Sequence, residues 1–446
     1  MHQNKNKKAF GLWSAVFLGI GSMVGAGIFI VIGEAGAIAG NLVTVSFIIA
    51  GIIAMLCGYS LSKLAITYPS RGGIIEYLVQ SYGEGFFSGS LGVLFYMAQL
   101  IALAAVAKSF GTYAATYVDT GSSAFYTNIF AVAILGAFVL VNLVGASVVA
   151  KSENIIVLIK VSALVIFTVA ALFYIKPENL AIKEAPSIIH IFFSLGLTFF
   201  AFQGFSVITN SVEDMQNPKE TMLKSMFYAI VIVALLYISI SIAVFGNLSL
   251  DAIIQSKDYA LAEAAKPAFG EIGFKIIAAT ALFATASAIN ATLYAVTQIS
   301  YTLAKEGHLP REYERQIFNN TEGLIISAVL IIPMILFLNL GEIASIAAVT
   351  VLLIQGFTHT GHLFKYKDTG AKLWLILLAI AGTFSAAGFA IYYTSQKIEH
   401  FSLYIVMAFV IAFVLEVLLR LFNERTIEKQ IIKEIESELE SLKERL

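Results

Sequence analysis

The chain has 446 residues, 59% of them hydrophobic and only 13% charged, and its mean hydropathy is +0.85. A soluble domain carries about 25% charged residues, so the composition predicts an integral membrane protein with the lipid bilayer as its solvent. A formal net charge of −1 leaves no basic surface to neutralise phosphates, which excludes a nucleic-acid partner.

Apolar runs of helical length occur at about 11–38, 42–66, 85–117, 124–147, 153–175, 188–211, 221–247, 271–304, 323–339, 342–364, 373–394 and 401–422. A bilayer-spanning helix needs roughly 20 residues, so these predict twelve membrane helices, the third and eighth long enough to tilt. The first run exceeds the core of a cleavable signal, and none is expected. Breakers mark the joints: Pro69 with Gly72 and Gly73, Pro177, Pro186, Asn217-Pro218, Pro267 with Gly270, and Pro310. Pro333 falls inside the ninth run and predicts a kink there. With the amino terminus inside, the short inner segments hold fourteen Lys and Arg residues. The outer segments hold five: Lys176, Lys183, Lys257, Lys266 and Lys397. That bias places both termini, including residues 1–10, in the cytoplasm, and implies a multi-pass protein of the plasma membrane. After residue 422, Ile427, Ile431, Ile435, Leu439, Leu442 and Leu446 recur at helical spacing among mixed charges. This tail, 423–446, predicts an amphipathic cytoplasmic helix that packs on the loops or mediates self-association.

Two runs are interrupted. Gly21-Ser22-Met23-Val24-Gly25-Ala26-Gly27 places three glycines and a serine in the middle of the first, where each glycine weakens a helix by roughly 1 kcal/mol relative to alanine. Unwound backbone survives at membrane depth only when buried in protein or lining a cavity. A helix restarting at Gly25, Ala26 and Gly27 points free N–H groups at whatever lies there; close helix packing is the competing explanation of these glycines. The sixth run carries Phe199-Phe200-Ala201-Phe202-Gln203-Gly204-Phe205-Ser206, with Gln203, Gly204 and Ser206 amid aromatics. Breaks in spans one and six are what two five-helix inverted repeats would produce, with substrate held between them.

Lys160 and Lys108 lie inside predicted spans, where a charge costs at least roughly 2.5–3.5 kcal/mol. Lys160 sits about seven residues, roughly 10 Å, from the cytoplasmic start of its span, deep for snorkelling, and is a candidate for taking up and releasing a proton. Lys108 lies nearer the outer end and is expected to snorkel. His359 and His362 stand three apart near the cytoplasmic end of span ten and are expected to pack helices; Tyr96 and Gln99 in span three are candidate wall residues, with packing the default. No metal-ligand spacing and no nucleophile–base motif appears, so no enzyme, metal or cofactor is expected.

The segment Gly21–Phe29 resembles the first-helix signature of the amino acid–polyamine–organocation family. Phe199–Phe205, continuing through Val207-Ile208-Thr209-Asn210 and Glu213 to Asn217-Pro218-Lys219, is similar to its sixth helix and following loop. Ala286–Thr292 and Ala304–Pro310 resemble its eighth helix and exit. The resemblance runs in order through nearly the whole chain except the tail, and is nearest to an archaeal proton-coupled member. It implies an all-α membrane protein with a LeuT-type fold: ten core helices as a 5+5 inverted repeat (11–175 and 188–364) plus two peripheral helices (373–422). It further implies that the substrate carboxylate meets N–H groups of Gly25, Ala26 and Gly27, with help from Ser22. The substrate ammonium would meet carbonyls near Met23, Phe200 and Ala201 in the break before Gly204, and Phe202 would gate the site. Lys160 matches a fifth-helix lysine that replaces a bound sodium ion in sodium-independent members. Gly21, Val24, Thr285 and Ser287 would then surround its ammonium. Relatives handling cationic substrates carry an acid where Ser206 stands, so neutral side chains are favoured.

Together these features predict a secondary transporter that imports L-amino acids with protons. Competing readings are an exchanger in which Lys160 is a structural charge, and a membrane receptor that binds amino acids without transporting them.

Overall fold

A computed structural model of the chain describes residues 11–118, 124–144, 147–181 and 186–422, with only the backbone of 147–154. The expected amphipathic tail and the first ten residues lie outside the described residues. The first span is formed by α1 (Leu12–Met23) and α2 (Gly27–Ala39), separated by residues 24–26. Gly40, at φ +57°, opens a 3-10 turn into α3 (Val43–Thr67). A short helix, α4 (Ile74–Tyr82), precedes α5 (Phe86–Ala115), α6 (Ala124–Val144) and α7 (Ser147–Leu172). The sixth span is composite: α8 (Ile189–Phe193), α9 (Leu195–Phe202) and a 3-10 helix, Gln203–Asp214. Then come α10 (Pro218–Asn247), the short α11 (Leu250–Gln255) and α12 (Ala260–Glu263), and α13 (Lys266–Lys305). A hairpin, β1 (Gln316–Ile317) with β2 (Asn320–Thr321), leads into α14 (Glu322–Phe337), α15 (Leu340–Lys365), α16 (Leu373–Ser395) and α17 (Phe401–Phe422). Every apolar run predicted from the sequence holds helix, and the protein is an all-α membrane protein. Among the described residues ten helical stretches are long and apolar enough to cross a bilayer, Leu12–Met23 and Glu322–Phe337 being shorter. Pro333 lies within α14, as expected; the hairpin was not expected.

Burial separates core from lipid. Ten of thirteen residues in α2 and all eight in α9 are buried. On α17, Val406, Val410, Val414, Val417 and Leu421 are exposed at three- and four-residue spacing, the apolar stripe that a lipid-facing helix presents. Lys and Arg again segregate: Lys63, Arg71, Lys219, Lys305, Arg311 and Lys365 all fall at one end of the bundle, called here the cationic end.

Charges that cannot reach water have specific partners. Lys108 does not snorkel as expected. It is buried, and its Nζ donates to the Ile335 carbonyl and to Asn128 Oδ1, both at 2.6 Å. Asn128 in turn donates to the Leu336 carbonyl at 3.3 Å. The last carbonyls of α14 have no helical partner, so a cation there satisfies both their lone pairs and the negative end of the helix dipole. Glu416, fully buried on α17, accepts from Arg420 Nε at 2.7 Å and lies 2.9 Å from His308 Nδ1, tying this helix to the segment after α13.

Spans one and six cross backbone to backbone. A Cβ added at Gly204 would stand 2.5 Å from Met23 N, and one at Gly27 would stand 2.8 Å from the Ala201 carbonyl oxygen. At Gly25 the nearest atoms would be 3.4 Å away, an ordinary contact. Gly204→Ala is therefore expected to destabilise the protein by about 1–3 kcal/mol through overpacking, while Gly25→Ala leaves the thermal unfolding midpoint in detergent unchanged. Equal midpoints for the two variants would show that the crossing is not tight.

Candidate functional site

The first break is complete. α1 ends at Met23, where the Val24 N–H still reaches the Ile20 carbonyl at 2.8 Å, and Val24 itself leaves helical geometry at ψ 53°. α2 restarts at Gly27, so its first N–H groups have no partner within the helix and carry the positive end of its dipole. Gly27 opens this restart and Ala26 precedes it as the cap, while Gly25 lies within the unwound residues 24–26, so the helix resumes at the end of the expected stretch Gly25–Gly27.

The second break is milder than expected. The chain stays α-helical through Phe202 and then tightens into 3-10 geometry over the twelve residues Gln203–Asp214. Runs of 3-10 helix longer than 3–4 residues are uncommon and mark hinges or strain. The backbone at 199–206 is thus not unwound: Gln203 N–H bonds the Phe200 carbonyl, and the change of pitch begins where Gly204 lies against Ser22 and Met23. Narrowing the helix keeps its hydrogen bonds while letting the other chain approach.

A residue that the sequence reading missed joins the breaks. The Tyr237 hydroxyl, buried on α10, donates to the Met23 carbonyl at 2.7 Å and the Ala201 carbonyl at 3.2 Å. These are two of the carbonyls expected to face a substrate ammonium, so acceptor oxygens from both spans converge on one point. Phe202 is fully buried, with its ring beside Gly51 on α3 and against the Tyr237 ring, centroids 5.2 Å apart. Phe200 and Ala201 are buried, and Phe199 packs edge-on against Phe205. Tyr96 bonds Ser327 at 2.8 Å and packs on Tyr313, the default packing role.

Lys160, 1% exposed, donates from Nζ to the Gly21 carbonyl at 2.7 Å, two residues before α1 ends. Val157, one turn earlier on α7, closes on Gly21. The Thr285 hydroxyl on α13 donates to its own helix at Ala281 and Leu282, leaving its oxygen only as an acceptor; Ser287 is buried on the same helix.

Residues 23–26 of the break are buried, as are all eight residues of α9, whereas Ser22 is exposed. At the opposite end Glu34, buried on α2, pairs with Lys257 at 3.1 Å, and Gly341 at the start of α15 abuts its carboxylate. Burial alone would lower the Lys257 ammonium, but Glu34 and Asp258 beside it raise it above the usual lysine value. A raised folded value means the stabilisation is fully present below the ordinary lysine value of about 10.4 and lost as pH rises through the raised one. At the cationic end the corresponding pairs, Arg71 with Glu213 and Asp214, are largely exposed and worth roughly 0–1 kcal/mol.

Two substitutions test this geometry. Tyr237→Phe should destabilise by about 1–3 kcal/mol, the cost of leaving buried carbonyls without their donor; an unchanged unfolding midpoint would dismiss the bridge. Glu34→Gln, with Ala26→Cys as reporter and Cys57→Ala as background, should speed labelling by an impermeant maleimide from the end opposite the cationic loops several-fold at pH 7. Identical labelling rates would show that the Glu34–Lys257 pair is no closure.

A family model described as amino acid permease matches residues 10–420. The chain is 35% identical over 377 residues to the uncharacterized protein MJ0609 of Methanocaldococcus jannaschii, covering 84% of this chain and 86% of that one. It is 36% identical over 352 residues to the inner membrane transport protein YbaT of Escherichia coli, covering 78% and 82%. At 22% over 378 residues it is similar to the branched-chain amino acid permease BcaP of Bacillus subtilis, covering 78% and 80%. The chain belongs to the amino acid permease family, as its motifs suggested, and is a membrane transporter rather than an enzyme.

Proposed function

We propose that this protein imports L-amino acids with neutral side chains, coupled to protons and independent of sodium, across the plasma membrane. The observation that carries the coupling is the Lys160 ammonium on the Gly21 carbonyl, fully buried beside the break. An intramembrane cation is a functional group by default. Losing its proton would remove the charge-assisted bond that holds α1 at its broken end, so the protonation state and the position of α1 are linked. The N–H groups of Gly25, Ala26 and Gly27, with Ser22, receive the substrate carboxylate. Carbonyls of Met23, Phe200 and Ala201, ahead of Gly204, receive its ammonium, the Tyr237 hydroxyl holding two of them in place. Val24, Thr285 and Ser287 complete the surroundings of Lys160.

The repeats 11–175 and 188–364 would rock against each other, with 373–422 peripheral. Reciprocal contact supports this: in each interrupted span, the glycine after the break lies on the other span's backbone just before its break. The paired Glu34 and exposed Ser22 suit a state closed outside and open toward a cytoplasmic cationic end, where both termini would lie. The driving force suffices: roughly 2.3 kcal/mol per charge at 100 mV and about 1.4 per pH unit support an accumulation of about 400-fold for one proton and a neutral substrate.

Uptake of tracer amino acid into proteoliposomes should rise with an inward proton gradient and persist without sodium. Lys160→Ala should abolish that uptake while the protein still folds. Counterflow with no net proton-driven uptake in the wild type would favour an exchanger; retained proton-driven uptake in the variant would remove Lys160 from the mechanism.

A further inference from the structure

Span ten carries a buried polar column that the substrate cradle does not use. His359 and His362 share one hydroxyl: Ser60 Oγ on α3 lies 2.9 Å from His359 Nδ1 and 2.7 Å from His362 Nδ1. His362 Nε2 lies 2.8 Å from Thr369 Oγ1, which also reaches the Tyr366 carbonyl at 3.1 Å. Thr369 sits in the loop before α16, between exposed Asp368 and Gly370. One turn deeper than His359 stands Gln355. Gln355, His359 and His362 are all 0% exposed. Among the described residues, His359 Nε2 and both amide atoms of Gln355 have no hydrogen-bond partner.

A polar network kept only for packing closes on itself, because unpaired polar atoms in an apolar interior cost about 1–3 kcal/mol each. This one is closed at the loop and open at its deep end. Its depth follows from one contact: Leu352 on α15 lies beside Gly196 on α9, and the two helices run in the same direction. Three residues further on, Gln355 is level with Phe199, and His359 is level with Gln203, where span six changes pitch.

The bonds also have two internally consistent directions. Ser60 and Thr369 each hold one hydroxyl proton, and each neutral imidazole holds one N–H. In the first arrangement, His359 Nδ1–H donates to Ser60, Ser60 to His362 Nδ1, His362 Nε2–H to Thr369, and Thr369 to the Tyr366 carbonyl; His359 Nε2 is then bare. In the second, the three bonds between side chains are reversed, the Thr369 hydroxyl turns from the Tyr366 carbonyl to His362 Nε2, and His359 Nε2 carries hydrogen. A proton arriving at bare His359 Nε2 converts the first into the second: Nδ1 yields its proton to Ser60, Ser60 to His362 Nδ1, His362 Nε2 to Thr369, and Thr369 releases one at the surface. One proton enters, one leaves, and no side chain stays charged.

We infer that His359, Ser60, His362 and Thr369 form a proton relay, with Gln355 one turn beyond its deep end, between the depth of the span-six hinge and the cationic face. This deepens the proton-coupled reading above and rests on it: the relay would carry the transported proton to the cytoplasm. The titratable and charged groups around it are Cys57, Tyr59 and Lys63 on α3, Glu76, Tyr77 and Tyr82 on α4, Tyr96 on α5, Lys365 at the end of α15, and Tyr366, Lys367 and Asp368 in the loop that holds Thr369. Glu34 lies at the far end of α15, and α9 and the adjoining part of α16 bring none.

Ser60→Ala and Thr369→Val each delete one link and leave both imidazoles and the cradle in place, and Ser60→Thr keeps the hydroxyl. In proteoliposomes, proton-gradient-driven uptake should fall at least tenfold in the first two and recover in Ser60→Thr, while amino acid counterflow stays within twofold of wild type in all three. Gradient-driven uptake surviving in both deletions overturns the relay, as does counterflow falling in step with uptake. Wild-type counterflow without gradient-driven uptake would instead overturn the coupling on which the relay rests.

Discussion

The architecture turns on two backbones crossing at mid-membrane with almost nothing between them. Gly27 lies on the Ala201 backbone and Gly204 on that of Ser22 and Met23, so neither crossing point tolerates even a methyl group without movement. In lipid there is no hydrophobic drive to press helices together, and close approach of small residues supplies the contact instead. That approach has a cost, since peptide groups at the crossing lose regular helical partners. The structure meets it in two ways: residues 24–26 leave the helix altogether, whereas Gln203–Asp214 rewind into a narrower one. Packing and binding are therefore not alternative explanations of these glycines. The same missing side chains that let the spans cross also leave the N–H groups of the α2 restart unscreened.

Around that crossing, polar groups placed in the bilayer are handled by a common device. A buried donor is set against carbonyls at helix ends: Lys160 on Gly21 and Tyr237 on Met23 at the end of α1, and Lys108 on Ile335 near the end of α14; Tyr237 also reaches Ala201 just before span six changes pitch. Helix ends always leave such carbonyls, so each interruption makes an acceptor site without any acidic residue. Two buried acids use ion pairs instead: Glu416, with Arg420 and His308, near the cationic end, and Glu34, with Lys257, near the opposite one.

Most of the fold was legible because hydropathy and length report burial in lipid directly. Every apolar run predicted from the sequence holds helix, and the glycine cluster at 21–27 marked the complete break. What could not be read depends on which residues meet across long sequence separations. Tyr237 looks like any aromatic in an apolar helix; only its distance to Met23 reveals it as a bridge. Lys108 appeared free to snorkel because the end of α14, more than two hundred positions away, was not known to lie beside it. Spacing places Phe202 in an aromatic cluster but does not give the direction of its ring, which lies between α3 and α10. The 3-10 stretch also escaped, since its cause is the approach of another chain segment rather than a local preference.

Distance along α1 explains how a proton and a zwitterion could influence one another. The Gly21 carbonyl that receives Lys160 lies next in sequence to Ser22 and two residues from Met23, whose carbonyl is held by Tyr237. A rigid turn of helix therefore joins the lysine contact to the cradle over about 3 Å of axial rise. Adding or removing one charge-assisted hydrogen bond changes the balance between two positions of α1 by roughly 1.5–3 kcal/mol, a shift of about 10- to 150-fold in population. Shifting a two-state equilibrium from 1:99 to 99:1 takes about 5.5 kcal/mol, so the lysine alone falls short of a full switch. Substrate contacts at the α2 restart and at the carbonyls before the span-six change of pitch would have to supply the remainder, and that shared requirement would make movement of the empty protonated carrier and of the loaded unprotonated carrier both unfavourable.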